Sequence, residues 1–293
     1  MVYYMNESRS ILIESKILYC HVDTIMGIEN VKHVLLVLSG KGGVGKSTVS
    51  CQLALSLQHR GYKVGILDID ICGPSTPRML GLLGENVTQG SNGWIPIKYE
   101  KHDRPVLSVM SIGFLLNDQD AAVIWRGPRK TAMIRQFLTD VDWAELDFLI
   151  VDSPPGTSDE HISVVECLNN LPTKCQTNAI LVTTPQSVAV GDVRREITFC
   201  HKGNVPILGL IENMSGYVCQ HCSECSPIFS QGGGQTLAEY AQLDLLVTIP
   251  IETGLAECCD EGSDFIEKYP ESETFKRFSE LSNKICNKLC IQS

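Results

Sequence analysis

Apolar positions along this chain fall into two alternating rhythms. The first is a set of short continuous runs: "HVLLVLS" (33–39), "KVGILDID" (63–70), "DFLIVD" (147–152), "AILVTT" (179–184) and "PILGLIE" (206–212). Runs without a polar face predict strands buried on both sides. The second rhythm is helical. Residues 46–60 put Val49, Leu53 and Leu57 on one face, and Gly61 stands as a C-terminal stop. Helical stretches near 158–170 and 188–201 separate the later strands. This alternation predicts an α/β fold, a mainly parallel sheet flanked by helices. Residues 72–105 are rich in Gly, Pro and Asn and read as a long insertion. There is no internal repeat and no Pro/Ser linker, so residues 27–293 read as a single domain. Residues 1–26 carry no clear pattern and read as an N-terminal extension, either a short helix or a disordered tail.

The last stretch, "FKRFSELSNKICNKLC", places Phe275, Phe278, Leu281, Ile285 and Leu289 at helical spacing. Lys276, Arg277, Lys284 and Lys288 interleave with them. Two readings compete: a helix packed on the sheet, or a basic amphipathic helix that grips a membrane surface. The packed helix is the expectation. Cys286 and Cys290 sit one turn apart on it and read as incidental.

Composition narrows the classes. The chain has 293 residues, 43% hydrophobic, with a formal net charge of −10. That length buries a sizeable core. The acid excess predicts no affinity for nucleic acid or anionic membrane. No apolar run approaches the roughly 20 residues of a membrane helix. The 13 cysteines are odd in number, spread along the chain and preceded by no secretory segment. They predict a reducing, cytoplasmic location rather than a disulfide framework.

Candidate chemistry begins at "VLSGKGGVGKSTVS" (37–50). Gly40, Gly42 and Gly45 also spell a dinucleotide fingerprint, which is weak alone. Lys46 and Ser47 complete G-x-x-x-x-G-K-[ST], the phosphate-binding P-loop. Glycines let the backbone curl so that N–H groups of Gly42, Gly43, Val44, Gly45 and Thr48 face phosphate oxygens. The helix from Lys46 adds its positive end. Lys46 reaches the β- and γ-phosphates, and the Ser47 hydroxyl holds Mg²⁺. A P-loop magnesium also wants an acid at the end of another strand. Asp152, in "FLIVDSPPG", takes that position. "LDIDICGPS" offers Asp68 and Asp70, which at a spacing of two share one strand face and both look toward the phosphates. The early lysine, Lys41, is unnecessary for cradling phosphates within one chain.

A second candidate lies in "ENMSGYVCQHCSECSPIF". Cys219, Cys222 and Cys225 supply two or three ligands, whereas a tetrahedral zinc or a cubane iron–sulfur cluster wants four thiolates. A symmetric dimer giving two cysteines per chain would complete the set. Buried structural cysteines are the alternative.

"KGGVGKS" resembles the deviant Walker A motif of the MinD/ParA/nitrogenase-iron-protein class of ATPases. The resemblance implies that Lys41 reaches across a dimer interface to the partner's nucleotide and that Asp70 positions the attacking water. "LDIDICGPSTPRMLGL", "VIWRGPRKTAMIRQFL", "DSPPGTSDEHIS", "VTTPQSVAVGDVRREI" and "IENMSGYVCQHCSEC" extend it. Together they resemble the Mrp-type family of P-loop ATPases that scaffold iron–sulfur clusters, over about residues 30–255. With only Cys20 before the P-loop, the chain is similar to the short cytosolic kind, which lacks an N-terminal four-cysteine site. The resemblance implies ATP and Mg²⁺ as cofactors and a labile [4Fe–4S] cluster bridging a homodimer. It implies a heterotetramer with the longer paralogous scaffold, and transfer to apo-proteins of cytosol and nucleus. Cys219 and Cys222 match the cluster ligands, and Cys225 matches an extra cysteine of the short members. Asn213, expected at the end of its strand, matches a position that reads adenine, and the segment after "TIPI" (248–251) would line the base. The cluster loop is expected over 213–234. The "WRGPRK" segment (125–130) has no physical role from sequence. Two other functions share these motifs: a zinc-clasped dimeric targeting ATPase, and a positioning ATPase of the MinD/ParA type.

Overall fold

The computed structural model of the chain describes residues 27–71, 73–115, 127–157, 159–170, 175–219 and 225–291. The N-terminal extension, Cys222, Trp125 and Arg126 lie outside the described residues.

The first predicted strand is β1 (Val31–Leu38), and the P-loop helix is α1 (Lys46–His59). β2 (Val64–Asp68) follows, then the short α2 (Thr76–Met79). Residues 72–105 do not stand apart as an insertion. They hold the hairpin β3 (Thr88–Gly90) and β4 (Gly93–Ile95), and then β5 (Ile97–Tyr99), which joins the main sheet antiparallel to β6 (Leu107–Ser111). Next come α3 (Gly127–Thr139), β7 (Leu146–Asp152), α4 (Asp159–Asn170), β8 (Gln176–Thr183) and α5 (Ser187–Lys202). β9 (Ile207–Val218) is far longer than "PILGLIE" predicts. β10 (Cys225–Ser226), α6 (Gly233–Ala241), β11 (Leu245–Ile251), α7 (Thr253–Glu261), α8 (Phe265–Lys268) and α9 (Glu273–Lys288) complete the chain.

The sheet runs β10-β9-β8-β1-β7-β2-β6-β5, with β11 on β9. β1 pairs parallel with both β7 and β8. β5 and β10 pair antiparallel at the two ends. Successive β1 side chains feed opposite cores, as strand geometry requires. Leu35 and Val37 join Leu53, Phe148, Ile150 and Phe278 on one side. Val34, Leu36 and Leu38 join Phe137, Trp143, Leu149 and Leu181 on the other. Two apolar layers explain why the central strands read as continuous hydrophobic runs.

α1 departs from its predicted one-faced pattern. Val49, Leu53 and Leu57 are buried, but so are Ser50, Gln52, Ser56 and Gln58. Other segments cover it: α9 lies over Ser56, whose Oγ donates to the Phe278 carbonyl at 3.1 Å, and Gln58 donates to the Pro105 carbonyl at 2.7 Å. The C-terminal helix is thus the packed helix, with Phe278, Leu281 and Ile285 buried against the core. Three of its four cations have partners among the described residues. Arg277 pairs with Glu273 at 2.8 Å, Lys284 donates to the Leu246 carbonyl at 2.6 Å, and Lys288 pairs with Asp244. Cys286 is buried, whereas Cys290 lies beyond the helix end and is exposed, so the two do not form a pair on one face.

Candidate functional site

The P-loop lies at the C-terminal tip of β1, where a parallel α/β sheet opens toward its ligands. Gly45 stands at the start of α1 in the left-handed region, φ +80°. A cleft of about 210 Å³ is lined by Lys41, Gly42, Gly43, Val44, Gly45, Lys46, Ser47 and Thr48, together with Asp70 and Pro155. Lys41 is half-buried at its rim and makes no ion pair with any described residue. A larger hollow of about 690 Å³ lies at the other end of the strands. Its lysines are already paired, Lys32 with Asp147 at 2.8 Å and Lys63 with Glu145 at 3.2 Å, and it has no phosphate-binding loop.

Behind the cleft, the Lys46 ammonium donates to Asp152 Oδ1 at 2.5 Å and to Ser47 Oγ at 3.3 Å. Ser50 Oγ donates to the same carboxylate oxygen at 2.9 Å. Sequence reasoning missed Ser50, although its place one turn after Lys46 on α1 is a readable signal. The other oxygen, Asp152 Oδ2, is buried without a hydrogen-bond partner. A buried carboxylate oxygen left so is costly unless a cation or a bound water serves it. A carboxylate, a hydroxyl and phosphate oxygens are the hard donors that magnesium takes, so these residues fit Mg²⁺.

Asp68 and Asp70 separate. β2 ends at Asp68, so the shared-face argument does not carry to Asp70. Asp68 turns inward, accepting from Ser111 Oγ at 3.1 Å and from the amides of Asp70 and Thr76. It is the direct cross-strand partner of Asp152. Burial, and next the neighbouring Asp152 charge, push its carboxyl up to about 7. Asp70 alone lines the cleft.

The turn after Asp152 is held from both sides. Ser153 Oγ donates to the Val37 carbonyl at 2.7 Å, and the Gly156 amide donates to the Ser39 carbonyl at 2.8 Å. The "WRGPRK" segment gains a partial role here. Its Lys130, on α3, pairs with Glu160 of α4 at 2.9 Å, tying α3 to the helix that follows this turn.

Asn213 does not end its strand. β9 continues to Val218, and the Asn213 amide donates to the Val44 carbonyl of the P-loop at 2.8 Å. The stretch expected as one loop over 213–234 is therefore strand at its start and helix at its end. Cys219 follows β9 and is half-buried; Cys225 opens β10 and is exposed. Neither is in a disulfide. Both line a hollow of about 710 Å³ with Thr248, Pro250, Glu252, Lys276 and Arg277. The thiols and the segment expected to line the base thus share one hollow. Among the described residues, no three His, Cys, Asp or Glu side chains group to hold a metal.

A phosphate-binding loop on a mainly parallel sheet, backed by a buried lysine–aspartate pair, defines a P-loop NTPase of the MinD/ParA type. The profile described as "ParA: NUBPL iron-transfer P-loop NTPase" matches residues 30–286, and the chain belongs to that family. The "Cytosolic Fe-S cluster assembly factor nubp2" of Danio rerio is 56% identical over 262 residues, 89% of this chain and 96% of that protein. The human "Cytosolic Fe-S cluster assembly factor NUBP2" is 51% identical over 258 residues, 88% of this chain and 93% of that protein. Among solved structures, a nucleotide-binding protein of Archaeoglobus fulgidus in complex with ADP superposes with a TM-score of 0.71. It is 35% identical, covering 86% of this chain and 93% of that one. The cell-division ATPase MinD of Pyrococcus furiosus gives a TM-score of 0.62 at 23% identity, covering 88% of this chain and 99% of that one, a likeness of fold alone. The family resemblance and the fold class expected from sequence are both borne out.

Proposed function

We propose that this chain is an ATP-dependent cytosolic scaffold that assembles a labile [4Fe–4S] cluster across a dimer interface and passes it to apo-proteins. The observation that carries the reading is the hollow shared by Cys219, Cys225 and the end of β11, in a chain so similar to iron–sulfur assembly factors. Lys46 holds the β- and γ-phosphates. Ser47 and Asp152 hold Mg²⁺, which when bound draws charge off the phosphates. Asp70, alone of the DxD acids in the cleft, orients the attacking water. Lys41 reaches from the rim to the nucleotide of a second copy. Cys219 and Cys222 of each copy supply four thiolates, and Cys225 stands by as an extra ligand. The longer paralogous scaffold is the partner in a heterotetramer.

The positioning-ATPase reading loses its membrane element, because α9 spends its apolar face on α1 and β11. The test is anaerobic reconstitution with iron and sulfide beside a Cys219→Ala/Cys222→Ala variant, read by absorbance near ~400 nm and by metal content. About four irons per dimer, lost in the variant, is the expected result. Zinc at about one per dimer with no iron uptake would replace the scaffold with a zinc-clasped ATPase.

A further inference from the structure

β9 has three features that a plain central strand does not need. The first is at its contact with the P-loop. The Asn213 amide donates to the Val44 carbonyl at 2.8 Å, and a side chain at Gly45 would collide with that amide. Met214 adds a second touch, its methyl 3.5 Å from the position a Gly45 side chain would take. Position 45 is therefore held by two consecutive β9 residues.

The second feature is backbone strain one residue further on. Met214 has φ +58°, a left-handed conformation inside a strand. A long side chain takes this region only at a cost and holds it only where the surroundings impose it. The register shows what the kink does. Asn213 faces Ile249 and Tyr217 faces Ile251, so four steps on β9 match two on β11. Residues 214–216 lie opposite the single Pro250, so two extra residues form a bulge, a device that re-aims the rest of a strand.

The third feature is at the far side of the bulge. A side chain at Gly216 would lie 2.7 Å from Cys225 Sγ. The bare backbone there is the seat of that thiol. Two residues later Val218 pairs with Cys225, and Cys219 follows. Six residues of one strand, Asn213 to Val218, thus touch the P-loop at one end and reach Cys219 and Cys225 at the other.

We propose that the Met214 bulge is the positioning element through which nucleotide at the P-loop sets the reactivity of Cys219 and Cys225. It rests on the nucleotide-binding half of the function proposed above and not on the cluster. Phosphates drawn onto the Val44–Gly45 amides shift the loop against Asn213 and Met214. The strained bulge passes that shift to the strand end instead of absorbing it. Glycine at 214 takes a positive φ without strain, so the bulge becomes compliant and the two ends part.

The experiment is timed alkylation of the metal-free full chain with iodoacetamide, with and without saturating Mg·ATP. Each cysteine is read by peptide mass spectrometry, and nucleotide affinity is measured separately by calorimetry. Exposed Cys290, at the far end of α9, is the internal control. The wild type is expected to slow about fivefold or more at Cys219 and Cys225, the low end of site-to-site coupling, with Cys290 unchanged. Met214→Gly, compared at a Mg·ATP concentration that calorimetry shows to saturate it, is expected to lose most of that difference. Gly216→Ala should change Cys225 alkylation even without nucleotide, because the added methyl displaces the thiol. Wild-type cysteines indifferent to a nucleotide that calorimetry shows bound would overturn the proposal. So would full protection in Met214→Gly. No nucleotide binding at all would sink the ATP reading itself, and this inference with it.

Discussion

Lys46 and Asp152 show what a single buried contact does here. Lys46 is 6% exposed and Asp152 not at all, so each neutralises a charge the other could not bury alone. Lys46→Ala is expected to lose ATP hydrolysis and also to destabilise the fold by about 3 kcal/mol, the cost of stranding one member of a buried pair. Urea denaturation checks the second effect, and unchanged stability would mean that water reaches Asp152. Glu196 is a different case. It is fully buried on α5, both carboxylate oxygens lack hydrogen-bond partners, and burial pushes its carboxyl up to about 7. The folded state then keeps a proton that the unfolded chain sheds near its ordinary value. Stability falls as pH rises through the window from the usual carboxylate range to about 7, and stays lower above it. Glu196→Met should be more stable than wild type at pH ~8 and show a flatter stability profile across that window. A wild-type slope that survives the substitution would place the proton elsewhere.

At the scale of elements, α9 decides between two readings, in favour of the packed helix that its sequence led us to expect. Phe278 is 1% exposed and packs in the layer that holds Leu53 and Ile150. Phe278→Ala should cost about 3–5 kcal/mol in chemical denaturation, the price of a large core cavity. The intact chain should stay in the supernatant when anionic liposomes are pelleted, because α9 keeps its apolar face inside the fold and three of its cations already have partners. Pelleting with vesicles would revive the membrane reading. β9 makes the opposite point. Its apolar run announced a strand, but not that the strand continues through "NMSGYV". Met, Ser and Gly carry no strand signal; pairing with β11 and β10 extends it.

For the whole molecule, the central proposal is a lysine acting between copies. Lys41→Ala is expected to keep nucleotide affinity and to lose hydrolysis by about a hundredfold, as when a charge that stabilises the transition state is removed. Mixing Lys41→Ala with Asp70→Asn gives a sharper result. If the lysine acts across the interface, a mixed dimer has one complete site. Equal mixing should then recover about a quarter of wild-type activity. No recovery would place Lys41 in its own site. Much of this molecule was legible beforehand: the strand–helix alternation, the P-loop, Asp152 and the cysteine run. Ser50 was missed although its spacing from Lys46 could be read, whereas the Ser111 hydroxyl and the Thr76 amide could not be found, because which donors reach Asp68 is chosen by packing and not by local pattern.

What the sequence determined by itself is whatever depends on neighbours along the chain. Two-sided burial writes itself as continuous apolar runs, and a phosphate loop needs its glycines, lysine and serine within one short span. The tertiary structure alone decided what depends on distant segments. It set Asp68 inward and Asp70 into the cleft, because β2 ends between them. It laid α9 over α1, burying Ser56, a polar position off the apolar face that the helix period marks. It turned Asn213 from a strand end into a brace on Val44, 169 residues away. Such contacts join groups that no periodicity relates, and only the folded chain brings them within hydrogen-bonding reach.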